Sequence, residues 1–321
     1  MQFKKELFSK QKLIVADGIA GGGKILISNL LTGLPRVDPW IADPINEQMC
    51  ALLKLKKIKA DTATYILKNN YNKIFYDTLL FRDTNFRKSD KSSIINHPRY
   101  KDLKGRMHSD DNKVFKKYKD KLIVHFLTHF ISNYSEPIFK AFQKKLVFIR
   151  LFRSPLNISM IKHLTKWSIK WEKIKTRDGY IKIYNKKFKQ NYPFFMRESA
   201  AEYMRANSYE KSIIILESVY KKKSNILNFE KKYGSKIITI PFENLILKPK
   251  FYLKKISKSL LVKMDKITSR VMKQNNVPRL FDHQLHDTAG IKFIKKKVNK
   301  KYFNKLLELN NFYHKNILNK Y

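Results

Sequence analysis

The segment Lys12–Leu31, KLIVADGIAGGGKILISNLL, constrains the fold more than any other stretch. Leu13 to Ala16 read as a short apolar strand. Gly18, Gly21, Gly22 and Gly23 follow, four of the 9 glycines in the whole chain, and a helix opens near Lys24. Strand, glycine loop and helix N-terminus together form an anion cradle. Glycines let backbone N–H groups turn toward a phosphate or sulfate, and the helix end adds partial positive charge. Lys24 supplies a full one. The spacing follows the pattern G-x-x-x-x-G-K-[ST] through Gly18, Gly23 and Lys24 and then departs from it. Ile25 stands where a nucleotide hydrolase needs a hydroxyl for Mg²⁺. A ligand-free turn is the simpler alternative, but four glycines beside a lysine exceed what a turn requires.

At 321 residues, 43% hydrophobic and 13% aromatic, the chain has the means to bury a large core. We expect one α/β domain over 1–321, with helical insertions at about 45–120 and 160–235 and a helical C-terminal end. Cys50 is the single cysteine, which excludes a disulfide framework and a cysteine-based zinc site and points to a reducing, cytoplasmic setting. The N-terminus MQFKKELFSKQK has no apolar signal region, and no run approaches the ~18 apolar residues of a membrane span. The net charge of +42 invites a nucleic-acid reading. Of the 68 basic residues only 12 are arginine, however, and isoleucine and asparagine are abundant too. That combination reads as compositional drift. Base-specific sites favour arginine for bidentate contacts, so no specific nucleic-acid partner is expected.

Thr32 to Asp38 reads as a turn and a short second strand, with Gly33 and Pro35 stopping the first helix. Residues 45–80 have helical periodicity, with Leu52, Leu53, Leu55 and Ile58 on one face and Ile66, Ile74 and Leu79 on the next helices. Residues 81–120 are polar and irregular. Arg82, Asp83, Asn85 and Arg87 are either acceptor contacts or solvated surface, and Gly105 with the Ser109-Asp110-Asp111 turn suggests a flexible insertion.

The runs KLIVHFLTHF (121–130) and KLVFIRLF (145–152), with a short helix at 136–142 between them, form a βαβ unit. In such sheets ligands sit at the carboxyl ends of the strands. That rule selects His129, Arg153 and the glycine loop. An amphipathic helix spans 156–178. The stretch from Asp178-Gly179 to Pro193 reads as loop. Helices are expected at 196–208 and 224–233, and a possible strand at Lys211–Val219. A strand Lys236–Pro241 precedes Phe242-Glu243-Asn244-Leu245, where Glu243 reads as a structural turn residue. Helices follow at 249–261 and 264–274, then a loop at Gly290, the solvated run Lys295-Lys296-Lys297 and a helix at 300–319. His125 and His129 make an H-x-x-x-H pair with no third ligand in sight, so no metal is expected.

Four segments, in this order, resemble the sulfotransferases that use 3′-phosphoadenosine 5′-phosphosulfate (PAPS). GIAGGGKILISNLL is similar to the family's 5′-phosphosulfate loop. Leu127-Thr128-His129 is similar to its Lys-Thr-His run. KLVFIRLFRSPLNISMIKHL is similar to its 3′-phosphate strand and helix, and IITIPFENLILKPKFYLKKISKSLL to its later strand, acidic turn and helix. The cover is about half the chain. The resemblance implies a P-loop-type three-layer α/β fold with a central parallel sheet, and transfer of a sulfuryl group to a hydroxyl or amine. It implies Ile19, Ala20, Gly21, Gly22, Gly23, Lys24 and Ile25 around the phosphosulfate, His129 and Lys24 as catalytic groups, and Arg153 on the 3′-phosphate. A saccharide, glycolipid or small hydroxylated metabolite fits as acceptor, and no metal is implied. In one family-like basic loop, Lys295 to Lys297 would close over the donor. Three positions depart from the family. Gly21 replaces the loop cation, Leu127 replaces the lysine before Thr-His, and Ile161 replaces the helix serine; Ser159 and Ile161 are nevertheless the positions that the resemblance implies beside the donor, with Asn157 close by.

A P-loop kinase or NTPase is the main rival. It needs a hydroxyl after Lys24 and an acidic strand end for Mg²⁺, and Ile25, His129 and Arg153 stand at those places instead. A non-enzymatic polyanion binder, whose binding would fall steeply with salt, and an inactive family member are the others.

Overall fold

The computed structural model describes residues 3–107, 110–173, 179–220 and 226–321. Five parallel strands form the central sheet: β1 (Leu13–Gly18), β2 (Val37–Ile41), β3 (Ile123–His129), β4 (Leu146–Phe152) and the seventh strand in chain order, Lys236–Pro241. The spatial order is β2-β3-β1-β4 and then Lys236–Pro241, so the glycine-loop strand lies in the middle. β1 is buried along its whole length, as a strand covered on both faces must be, and its sequence is correspondingly continuous in apolar residues. Helices cover both faces, which makes the protein a three-layer α/β fold.

On one face Ile14, Ala16, Ile123, Val147, Ile149 and Ile238 pack under α1 (Lys24–Thr32) and two later helices, Pro249–Leu260 and Lys266–Gln274. On the other, Leu13, Val15, Val124, Phe126 and Phe148 meet α2 (Pro44–Lys54), α3 (Ala60–Leu79) and the helix Glu136–Phe142. A third cluster beyond the sheet joins the helices Ile158–Trp171, Ser208–Tyr220 and Lys300–Tyr313.

In chain order, α4 is Tyr100–Lys104, α5 Asp111–Tyr118, α6 Glu136–Phe142, α7 Ile158–Trp171, α8 Ala200–Arg205, α9 Ser208–Tyr220, α10 Ile226–Tyr233, α11 Phe242–Leu247, α12 Pro249–Leu260, α13 Lys266–Gln274, α14 His283–Lys295 and α15 Lys300–Tyr313. The outlying strands β5 (Lys182–Asn185) and β6 (Gln190–Pro193) complete the list, and Lys236–Pro241 is β7.

The structure corrects the sequence reading in several places. Lys211–Val219 is helix, not strand. Ile213, Ile214, Ile215 and Leu216 are all buried because α9 lies between α7 and α15, and a helix apolar all round loses its period. The stretch expected as loop before Pro193 is the antiparallel hairpin β5–β6. Asp178 lies outside the described residues. The helix expected at 196–208 is a tight turn at Phe194–Ser199 followed by α8, with α9 opening at Ser208. α7 ends at Trp171; 174–178 of the expected helix, like 224–225 of the next and Ser109 of the expected turn, fall outside the described residues. Residues 81–120 are partly helical and tied down. Arg106 is buried and pairs with Asp38 at 2.6 Å, and Arg99 reaches Asp265 at 2.7 Å. α15 continues into a wider turn at His314–Leu318.

Gly290, expected in a loop, sits inside α14, where the helix passes directly over the backbone of Leu156. A methyl group there would overlap the Leu156 carbonyl oxygen. Gly290→Ala should therefore cost about 3 kcal/mol from overpacking, more than the ~1 kcal/mol that alanine gains over glycine in a helix. A urea titration should show a lower midpoint at unchanged slope.

Candidate active site

The sheet register brings the strand ends together. Gly18 of β1 is the parallel partner of His129 in β3 and of Leu151 in β4. The cavity at this end has a volume of about 750 Å³. It lies where the order reverses around β1, the place at which open α/β sheets bind ligands.

One wall is the glycine loop. Gly23 has φ 98° and precedes α1 as an N-cap without a side-chain cap. Only glycine fits, because a Cβ would overlap the Phe242 ring. An uncapped helix start presents N–H donors, and Gly21, Gly23, Lys24 and Ile25 all line the cavity. Ile19 and Ala20 line it too, while Gly22 does not. Lys24 is almost wholly buried. Its ammonium donates to the carbonyls of Gly18 at 2.6 Å and Ile19 at 3.0 Å, which leaves its third N–H. Burial lowers its pKa to about 8, against the attraction of Asp17 and Glu47.

His129 stands opposite, with 30% of its side chain exposed. Glu47 of α2 holds it twice. One carboxylate oxygen accepts from the His129 backbone N–H at 2.9 Å and lies 3.0 Å from Nδ1. A carboxylate accepts and does not donate, so Nδ1 carries the proton and Nε2 is the basic nitrogen. α2 is fixed in turn by its cap, Asp43, which accepts from Ile45 N–H and from the amide of Asn70 in α3. The turn after β3 is fixed by Asp17. That buried carboxylate accepts from Thr128 Oγ1 at 3.0 Å, Ile131 N–H at 3.2 Å, Ser132 N–H at 2.9 Å and the Ser132 hydroxyl. His125 points elsewhere, with Nε2 3.3 Å from Ser28 Oγ, and burial drops its pKa to about 3. Among the described residues no cluster of three or more His, Cys, Asp or Glu is arranged to hold a metal.

The third side is basic and aromatic. Arg153 lies over the Phe242 ring, 4.2 Å from its centre, and donates to Gly21 O at 2.8 Å. It braces the loop as well as lining the cavity. Arg279 lines the same region and lies close enough for its charge to oppose that of Arg153. Behind Arg153, the Glu243 carboxylate accepts from Ser154 N–H at 2.9 Å and from the Tyr313 hydroxyl, a structural role. Trp167 and Tyr180 form the aromatic wall. Trp167 donates to Nε2 of His163 at 2.9 Å, which places the His163 proton on Nδ1.

The structure thus gathers Ile19, Ala20, Gly21, Gly23, Lys24, Ile25, His129 and Arg153 around one cavity. It leaves out Ser159, which is exposed but does not line the cavity, and Ile161, which is fully buried in the helical core and has no polar atom to offer. Lys295 to Lys297 do not line the cavity either. Sequence reasoning missed Glu47, Asp17, His163 and Arg279. Asp17 carried the one available signal, a carboxylate at the end of an otherwise apolar strand.

No protein-family model matches the chain, and no curated protein matches it. Among solved structures it is similar to the sulfotransferase domain from the Synechococcus PCC 7002 olefin synthase, with 11% identity and a TM-score of 0.44 over 98% of each chain. It is also similar to the sulfotransferase domain from the curacin biosynthetic pathway, with 10% identity and a TM-score of 0.38 over 94% of this chain and 97% of that one. A third is the sulfotransferase STF9 from Mycobacterium avium, with 11% identity and a TM-score of 0.37 over 90% and 77%.

Lys24 is charged below pH about 8 and neutral above it in the free protein. Anion affinity at the loop should therefore fall as pH rises through 8. Lys24→Met should bind 3′-phosphoadenosine 5′-phosphate more weakly at pH 7 and lose that dependence, as read by calorimetry at several pH values.

Proposed function

We propose that this chain is a PAPS-dependent sulfotransferase acting on a hydroxyl or amine acceptor. The observation that carries the reading is the pairing across one cavity of an uncapped glycine loop with Lys24 and a histidine whose free nitrogen is set by a carboxylate. The loop N–H groups and Lys24 fit the 5′-phosphosulfate. Arg153 and Arg279 fit the 3′-phosphate, since planar guanidinium groups suit bidentate anion contacts. Ile25 offers no hydroxyl to Mg²⁺, and Asp17, the acidic group at the end of β1, is occupied by four chain donors. Both features favour a transfer that requires no metal over the kinase or NTPase reading.

His129 Nε2 would take the proton of the acceptor as its oxygen or nitrogen bonds to sulfur. The bond between sulfur and the bridging phosphate oxygen breaks in the same displacement. Lys24 and the helix N-terminus then face the charge that grows on that oxygen, and fixed donors of this kind act more strongly in a site shielded from water. Glu47 holds the imidazole in the right tautomer and steadies the imidazolium that forms. The remaining wall of Trp167 and Tyr180 suits an acceptor with an apolar ring face, such as a sugar or a small hydroxylated metabolite.

Transfer of labelled sulfate from PAPS to a panel of hydroxylated acceptors tests the proposal. With an acceptor in hand, His129→Ala should lower kcat about 10²–10⁴-fold with little change in donor affinity. Glu47→Gln should lower kcat less and alter the pH profile. Full activity of a folded His129→Ala protein would remove the base from His129.

A further inference from the structure

α12 and α13 cover the same sheet face. α12 buries Tyr252, Leu253, Ile256 and Leu260, and α13 buries Val271, in one shared core cluster. Their opposite faces therefore look outward on the same side of the molecule. On α12 the outward residues are Lys250, Phe251, Lys254, Lys255 and Lys258, followed by Leu261. They fall within an arc of roughly 140° at 100° per residue. On α13 they include Lys266, Arg270 and Lys273.

The charge of this surface exceeds the general bias of the chain. From Lys248 to Lys273 there are nine basic residues and one acid, Asp265, against 68 and 26 overall. Asp265 is itself paired with Arg99. Residues 44–79 on the opposite face carry six basic residues and three acids.

The same face exposes two large apolar side chains, Phe251 at 57% and Leu261 at 76%. Leu261 caps α12 with φ 57°, in the left-handed region. Glycine fills such a position without strain, and a leucine there is uncommon. The chain thus holds two large apolar groups in water on a lysine-rich helix face. An anionic bilayer accommodates that combination, because lysine heads meet lipid phosphates while their stems and neighbouring apolar groups sink below them. A nucleic acid would favour arginine, and Arg270 is the one arginine among the outward residues named.

We propose that the outward face of α12 and α13 docks this protein on an anionic lipid bilayer, with Phe251 and Leu261 entering the headgroup boundary and the lysines contacting lipid phosphates. The proposal is independent of sulfuryl transfer. α13 is capped by Asn275, which also lines the main cavity, so docking brings the cavity rim toward the lipid surface.

The test is co-sedimentation of the full chain with phosphatidylcholine vesicles, with and without phosphatidylglycerol, at physiological ionic strength. Binding should require phosphatidylglycerol. Combined Lys254→Glu, Lys255→Glu and Lys258→Glu should weaken it about 100-fold or more. The same reversal at Lys113, Lys116 and Lys117 of α5, exposed over the opposite sheet face, should weaken it far less. Phe251→Ser with Leu261→Ser should weaken it about tenfold or more with no change in charge, while circular dichroism shows a folded protein. Equal loss from the α12 and α5 reversals would overturn the proposal in favour of diffuse charge attraction. Unchanged binding by the serine variant would remove the insertion and with it the proposal. Duplex DNA bound through α12 with no vesicle binding would reassign the face to nucleic acid.

Discussion

The Asp17 carboxylate is the interaction on which the site depends. It sits near the end of the central strand, wholly enclosed, and takes four hydrogen bonds from the end of β3 and the turn that follows. A buried charge is tolerated only with such complete pairing, and losing part of it costs more than an ordinary hydrogen bond. The bonds join β1, which launches the glycine loop, to β3, which delivers His129. One carboxylate thereby fixes the relative position of the glycine loop and His129. Glu47 fixes the orientation of the His129 ring from the other side, and its own helix is anchored to α3 through Asp43.

Beside the glycine loop, Lys24 is held by two carbonyls and lies close to Asp17 and Glu47, whose attraction offsets part of its burial. Arg153 is held by Gly21 and Phe242, and Arg279 sits near it. His129, Glu47, Trp167 and Tyr180 line the rest of the cavity. Groups positioned by their neighbours need little rearrangement as charge develops, which is the physical basis of electrostatic catalysis. Ser159 and Ile161 do not line the cavity. Arg279 lines it near Arg153 instead.

The central part of the fold was legible in the sequence for a simple reason. Parallel strands buried on both faces are short apolar runs, and their last residues face the ligand. That rule picked out His129, Arg153 and the glycine loop without any knowledge of packing. What escaped depends on contacts far apart in the chain. Glu47 is 82 residues from His129, and Arg279 reaches the cavity only because α13 docks beside α1. The α9 segment resembles a strand in sequence because its isoleucine run has no helical period, and burial on every side removes that period. Gly290 looked like a loop residue, but it is a point where one helix crosses a backbone too closely for a side chain. Residues 81–120 looked irregular because the pairings of Arg99 and Arg106 with Asp265 and Asp38 are invisible to local pattern.

The central claim is that the cradle is a donor site for an adenosine carrying both a 3′-phosphate and a 5′-phosphosulfate. The most direct test is calorimetric titration of the purified protein with 3′-phosphoadenosine 5′-phosphate and, separately, with ATP and Mg²⁺, at moderate salt. The account predicts saturable one-to-one binding of the first, weakened by Arg153→Ala, and no comparable binding of ATP with Mg²⁺. Preferential binding of ATP with Mg²⁺, or failure of both, would contradict it.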